Sequence, residues 1–168
     1  MKTIKKIKTS MFEIAQILAS DELLQKLLVI DSPNVLQVEI YTPKTLNEML
    51  DEQYICLAPK LENALKKNDR NTFLIVQLDT GDLRNASNMR IAGSIFIATD
   101  GDHILLKNNA NRLWEILDRI IQDLDERKLS SAGAISIDTF NHVVYSEYTF
   151  GYRVNFSFKD QENRKAEL

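Results

Sequence analysis

The chain has few of the residues on which common functional sites are built. Its 168 residues include one cysteine and two histidines. The single cysteine, Cys56, excludes an internal disulfide and a cysteine-rich zinc site. Its apolar neighbours favour a small buried residue in a reducing compartment. Because His103 and His142 lie in predicted turns without a second metal ligand at a typical spacing, the sequence predicts no metal site and no cofactor.

Glycine, basic charge and long apolar runs are also scarce. The five glycines are isolated from one another, which excludes a glycine-rich phosphate loop, and no serine stands in a nucleophile elbow. The net charge of −3 argues against general nucleic-acid binding, and the one basic run, residues 2–8, is short. No segment has the roughly 18 apolar residues of a membrane span. We therefore expect a protein that is soluble and cytoplasmic at synthesis, and not an enzyme.

Apolar periodicity and capping signals predict an α+β fold. A capping box at Ser10 and Glu13 predicts that the first helix begins there, and Thr45 with Glu48 predicts another start. Predicted helices lie around 10–18, 23–28, 46–52, 59–67 and from Asn109 onward. Predicted extended segments lie at 35–41, 54–57, 73–79, 89–99, from 135 to a turn at 140–142, and at 143–159.

The order of these elements predicts the architecture and the domain boundaries. Sequential strands usually pair, so we expect an antiparallel four-stranded sheet with a long C-terminal β-hairpin and helices packed on one face. Residues 1–9 are predicted to form an N-terminal arm and residues 10–160 a single domain. Within that domain, 30–67 is an elaboration of unassigned placement, and 161–168 is a polar tail.

The last predicted strand, 143–159, is long for a domain of this size. Its apolar positions share one parity: Val144, Tyr148, Phe150, Tyr152, Val154, Phe156 and Phe158. Seventeen residues extend roughly 55 Å, whereas the whole domain should be roughly 40 Å across. The strand therefore either bends, with Gly151 as the natural kink, or reaches a neighbouring subunit. On its polar face Tyr145, Glu147, Thr149 and Arg153 are candidate interface residues, and a plain solvated sheet face is the alternative.

Acidic residues at predicted strand ends give one candidate for chemistry. Asp79, Asp82 and Asp100 stand where a magnesium-dependent nuclease would hold its carboxylates. Aspartate is also common in turns for reasons of backbone geometry, and the strand 73–79 offers no lysine as a base. The nuclease is the weaker alternative.

The layout resembles the tail terminator (tail completion) proteins of long-tailed bacteriophages. The resemblance covers most of residues 10–160: the paired N-terminal helices, the strand pair, the helix around Trp114 and a hairpin that ends on alternating aromatic residues. It implies a virion protein that assembles in the host cytoplasm and forms a homohexameric ring at the head-proximal end of the tail tube. Such a ring stops tube polymerisation and binds the tube protein and the neck or head–tail connector protein, while DNA only passes through the lumen. The expected contacts are the overhanging part of 143–153 and Asp82, Arg84 and Asn85 in the loop 80–88. The alternatives within the binding class are another ring-forming connector protein and a cellular adaptor or immunity-type module with the same sheet.

Overall fold

The computed structural model describes residues 2–57, 68–81 and 91–159, which form an α+β fold as predicted. The helices are α1 (Lys2–Ser20), α2 (Glu22–Val29), α3 (Leu46–Asp51) and α4 (Arg112–Leu124). The strands are β1 (Ile55–Leu57), β2 (Thr72–Gly81), β3 (Ile91–Asp100), β4 (Ala134–Val144) and β5 (Thr149–Lys159). The helix predicted over 59–67 and the polar tail 161–168 lie outside the described residues.

The sheet has five strands in the order β1-β2-β3-β5-β4. The four strands β2, β3, β5 and β4 pair with one another in antiparallel fashion, as predicted. A fifth strand, β1, pairs with the other edge of β2 and runs parallel to it. The predicted strand count is therefore wrong. A three-residue apolar run such as β1 carries no periodicity that would indicate its partner or its direction.

The main hydrophobic core lies between the described helices and one face of the sheet. Leu74, Ile95 and Phe156 from the sheet pack there with buried side chains from all four helices. Val35 and Tyr54 belong to the same core. The described part of the segment 30–67 thus contributes to the central packing.

The first helix begins earlier than the sequence suggested. α1 runs from Lys2, so the predicted arm 1–9 is helical from its second residue and Ser10 does not cap the helix. Ser10 is fully buried, and its Oγ lies 2.8 Å from Oγ of Ser131. Glu13 accepts hydrogen bonds from Ser131 instead of closing a capping box. Because a serine three residues before a glutamate also occurs inside helices, the motif was ambiguous here.

Local signals between 35 and 51 had mixed outcomes. Val35–Gln37 forms a 3₁₀ helix and not a strand, and Ile40 is exposed, so the strand predicted over 35–41 is wrong. The capping box of Thr45 and Glu48 is confirmed, since Thr45 Oγ1 accepts from the Glu48 amide and Glu48 accepts from the Thr45 amide. A cap satisfies its own backbone, whereas a strand needs a partner that alternation alone does not provide.

Arg112, at the start of α4, is a buried residue that connects several segments of the helical layer by hydrogen bonds. The N-cap of α4 is Asn111 and not the predicted Asn109. The next residue, Arg112, has no exposed surface. Its guanidinium donates to four backbone carbonyl oxygens, those of Leu27, Ile30, Ser32 and His103. Leu27 and Ile30 lie at the C-terminal end of α2, where a cation is favoured by the helix dipole.

An acidic pair joins the start of α2 to α4. Asp21 caps α2 and also accepts from Arg119 Nε at 2.6 Å. Burial raises the pKa of Asp21, but the hydrogen bonds from the Leu24 amide and Arg119 outweigh it and hold that pKa below its ordinary value. Asp123 lies beside Asp21, and its Oδ2 is buried without a hydrogen-bond partner among the described residues. Burial, together with the neighbouring Asp21 carboxylate, raises the pKa of Asp123 to about 6.

The C-terminal hairpin differs from the predicted overlong strand. β4 and β5 have eleven residues each and are joined by a turn at 145–148, so the turn predicted at 140–142 is wrong. Eleven residues extend roughly 36 Å, which fits within the domain. Gly151 does not kink the strand; it permits close approach to β3, because a Cβ there would lie 1.7 Å from the Ile97 carbonyl oxygen. The predicted parity is confirmed from Phe150 to Phe158, whose apolar side chains face the main core.

Candidate subunit interface

The outer half of the β4–β5 hairpin is the most exposed part of the described sheet. From residue 138 to 144, every β4 residue except the half-buried Val143 is exposed. Phe140 is 53% exposed and Val144 60%, and Tyr148 in the turn is 67% exposed. Large apolar side chains gathered on one surface are typical of protein–protein contact sites. This hairpin surface, residues 138–148, is therefore the candidate interface.

The free edge of β4 is covered along its first half only. β4 is the last strand of the sheet. Residues 126–129 form backbone hydrogen bonds with 133–135, and the Ile137 amide donates to Asp125 Oδ1. A β-bulge follows between Ile137 and Thr139. Beyond it, residues 139–144 have no backbone partner other than β5 in the part of the chain that the structure describes.

An aromatic cluster lies on the helix side of this hairpin surface. Phe140 pairs with Val154, His142 with Tyr152 and Val144 with Phe150, so all three β4 side chains face the side of the main core. The ring of Tyr152 meets those of Phe140 and His142 edge-on, at centroid distances of 6.2 and 5.6 Å.

Trp114 completes the cluster from the helix layer. Its Nε1 donates to the Tyr152 hydroxyl at 3.0 Å, while the side chain stays 63% exposed. Its N–H is thus satisfied within the chain, and its ring remains available for contact, as is common for tryptophan at interfaces.

Of the hairpin residues predicted from the sequence, Tyr145 and Glu147 lie within residues 138–148, whereas Thr149 and Arg153 lie on β5, outside this surface. Arg153 is on the opposite face of the sheet, with its guanidinium over the Phe96 ring and its Nε bonded to Ser94 Oγ at 3.0 Å. Tyr145 packs against a second apolar cluster that includes Phe96, and burial raises the pKa of its hydroxyl. Of these four residues only Glu147, in the turn, is exposed; the other three are half-buried. Arg153 and Tyr145 are thus engaged within the chain.

Thr149 lines a polar cleft at the end of the sheet. The cleft has a volume of about 290 Å³ and is open to solvent; Asn68, Arg70, Asn71, Asp100 and Tyr145 line it with Thr149. Arg70 is engaged, since its Nε donates to the Glu52 carbonyl and its guanidinium lies over the Tyr54 ring. The cleft can hold polar groups, but the described residues present no cluster of metal-ligating side chains there.

The geometry of β2 and β3 contradicts a metal site shared by Asp79 and Asp100. The strands are antiparallel, Thr72 pairs with Thr99, and Asp79 stands at the other end of β2, next to Thr80, which pairs with Ala92. Seven residues of strand separate the two aspartates by roughly 23 Å, whereas ligands of one Mg²⁺ lie about 2 Å from the ion. The third carboxylate, Asp82, lies outside the described residues, as do Arg84 and Asn85 of the predicted loop contact.

Sequence reasoning missed Phe140, His142 and Val144 as surface residues of one strand. The signal was present, because these residues alternate with Asn141 and Val143 at the period of a strand. The asparagine and histidine were interpreted as a turn instead. The largely exposed ring of Trp114 was not foreseen either.

Comparison with known proteins adds no relative. No protein-family model matches the chain, and no curated protein matches it. Among the described residues, no helix combines the length and apolar character needed to cross a membrane.

Proposed function

We propose that the protein is a structural assembly protein of the tail terminator type, which acts by binding protein subunits and not by catalysis. In this role it forms a ring at the head-proximal end of a phage tail tube, stops tube polymerisation and joins the tail to the neck. The observation that carries the proposal is the exposed apolar half of the hairpin, with Phe140 and Val144 uncovered on the edge strand and Tyr148 uncovered in the adjoining turn.

The support differs from that expected from the sequence. β5 has eleven residues and does not overhang the domain, so strand length no longer favours a contact with a neighbour. The exposed edge of β4 now supports such a contact, because the edge strands of stable monomers usually carry charged residues or proline, or are covered by another segment. Residues 139–144 include no charged residue and no proline.

Tube binding tests the proposal directly. Purified protein is mixed with tail tubes assembled from the tube protein encoded in the same gene cluster, sedimented, and imaged by negative-stain microscopy. We expect a ring of density at one tube end and arrest of further polymerisation. Phe140→Asp should abolish binding, whereas Ile40→Asp, which places the same charge on a residue that is 91% exposed in the connection between α2 and α3, should not.

Two outcomes would count against a terminator. Binding to purified neck protein without tube capping would favour another ring-forming connector. Failure to bind either partner, together with a gene neighbourhood that lacks tail-tube and neck genes, would contradict the proposed role in a phage tail. Recovery of the folded monomer alone is compatible with assembly only on the tube, so the tube must be present in the assay.

A further inference from the structure

We propose that in the free protein a second copy of the chain covers the outer half of β4, by antiparallel pairing of the two β4 strands about a two-fold axis at His142. The contact goes beyond the proposed function, because it concerns the protein before it meets any other component. A two-fold contact joins two copies only, whereas a ring requires a head-to-tail contact. The pairing would therefore have to open when a ring assembles.

The free edge supplies the backbone groups for such pairing. The chain covers the first half of β4 itself, up to the hydrogen bond between the Ile137 amide and Asp125. Past the bulge, residues 139–144 stay in register with β5 on one side and have no other backbone partner among the described residues. A strand edge in this state is a ready template for another strand.

The side-chain pattern of this edge is self-complementary. In antiparallel pairing about an axis perpendicular to the sheet, residues opposite each other point to the same face. With the axis at His142, Phe140 lies opposite Val144 of the second copy, and Val144 lies opposite Phe140 of the second copy. Pairs of an aromatic and a β-branched residue are among the favourable cross-strand pairs. Both large apolar side chains exposed on β4 are then covered at once.

Neighbouring registers do not place Phe140 and Val144 opposite each other. An axis at Asn141 places Val144 opposite Asp138 of the second copy, and an axis at Phe140 places it opposite Ser136. An axis at Val143 leaves Phe140 opposite Ser146, in the turn. The register is thus specified by the pattern, as expected where one face of a strand is apolar.

The charge pattern permits the same arrangement. Residues 139–144 carry no acidic or basic side chain apart from His142, so the two-fold operation brings no carboxylates or ammonium groups together. Asp138 meets Ser146 of the second copy. An isologous contact requires one surface to complement itself, and this strand does so without any further assumption about a partner.

Cysteine cross-linking tests the axis position. In a Cys56→Ser background, the two copies of His142→Cys would have Cα atoms about 4.5–5.5 Å apart, within the range that a disulfide accepts. Thr139→Cys is the matched control, because Thr139 is also exposed on the same strand. Its two copies would lie about 20 Å apart, with six residues of strand between them. Mild oxidation should give a covalent dimer with His142→Cys and none with Thr139→Cys.

Sedimentation of the unmodified protein gives a second readout. We expect a concentration-dependent dimer that Phe140→Asp converts to monomer and that Ile40→Asp leaves intact. A monomer at every concentration, or equal cross-linking of both cysteine variants, would overturn the two-fold contact. A hexamer that cross-links elsewhere but not at residue 142 would overturn it too, while leaving the proposed ring in place. Tube binding with no dimer separates failure of this inference from failure of the proposed function.

Discussion

Arg112 offers the sharpest test of how the helical layer is held together. Its guanidinium is fully buried and bonded to backbone carbonyls alone, two of them at the C-terminal end of α2. Burial lowers the pKa of Arg112, although Asp31 acts in the opposite direction. An arginine in this position connects α2, the following loop and the segment before α4 through one planar group.

The expected magnitude follows from the partners that each substitution leaves behind. Arg112→Met keeps much of the side-chain volume but removes the donors to four carbonyls. Hydrogen bonds to a charged group are worth about 1.5–3 kcal/mol each, and relief from burying a cation offsets a large part of that sum. We expect a net loss of about 3–5 kcal/mol in the free energy of unfolding, because each buried carbonyl left without a donor costs about 1–3 kcal/mol. Arg112→Lys keeps the charge but loses the fork geometry, so we expect a loss of about 2 kcal/mol.

Urea unfolding followed by far-ultraviolet circular dichroism measures these differences. Since Arg127 is exposed, Arg127→Met is the matched control, and we expect its free energy of unfolding to stay within about 0.5 kcal/mol of the parent. The reasoning would be refuted if Arg112→Met were as stable as Arg127→Met. It would also be refuted if Arg112→Lys retained the parent stability, because an ammonium cannot reach four carbonyls in these directions.

Three further predictions concern the acidic pair, the α3 cap and the β3–β5 contact. The pKa of Asp123 is raised from 3.8 to about 6 in the folded protein, so its stabilising contribution is full below about pH 4 and is lost as pH rises through 6. Asp123→Asn should therefore raise the free energy of unfolding by about 1 kcal/mol at neutral pH, after allowance for solvent screening, and flatten its pH dependence in urea titrations from pH 4 to 7. Thr45→Ala should cost about 1 kcal/mol in the same assay through loss of the cap, and an unchanged value would contradict the capping geometry. Gly151→Ala should cost about 3 kcal/mol or more and lower the melting temperature, because its Cβ would overlap the Ile97 carbonyl; a neutral result would place the strands farther apart.

Parts of the fold that depend on local patterns could be predicted from the sequence. The alternation from Phe150 to Phe158 gave the buried face of β5, and the capping box at Thr45 gave the start of α3. Both signals concern residues that satisfy one another within a few positions, or that share one face of a single element. The α+β class followed from the order of such elements.

Parts that depend on tertiary partners could not be predicted in the same way. Ile55–Leu57 became a parallel strand only because β2 lies beside it, and the alternating residues 35–41 formed no strand for lack of a neighbour among the described residues. Nothing in the local sequence of Arg112 distinguishes a buried connecting residue from a solvated helix residue. Its role depends on carbonyls about 80 residues earlier in the chain.

The candidate interface was misplaced because one turn was assigned to the wrong residues. With the turn at 140–142, the polar face of a single long strand was the natural contact surface, and Tyr145 and Arg153 were its obvious members. With the turn at 145–148, those two residues pack against the opposite face of the sheet. Phe140 and Val144 on β4 then form the exposed apolar surface. A shift of five residues in the turn thus changes which residues are available to other molecules.

The β-bulge at Asp138 separates the exposed half of β4 from the half that packs in the core. Before the bulge, β4 contributes Ile135 to the core and is hydrogen-bonded on both edges. After it, Phe140 and Val144 are mostly solvent-exposed, so their replacement by polar residues removes little burial from the monomer. Substitutions there can change association without changing the stability of the subunit, whereas substitutions before the bulge change both. At protein concentrations low enough for the parent to be monomeric, we expect equal unfolding free energies for Phe140→Asp and the parent; at higher concentrations, where association stabilises the parent, only the parent should associate.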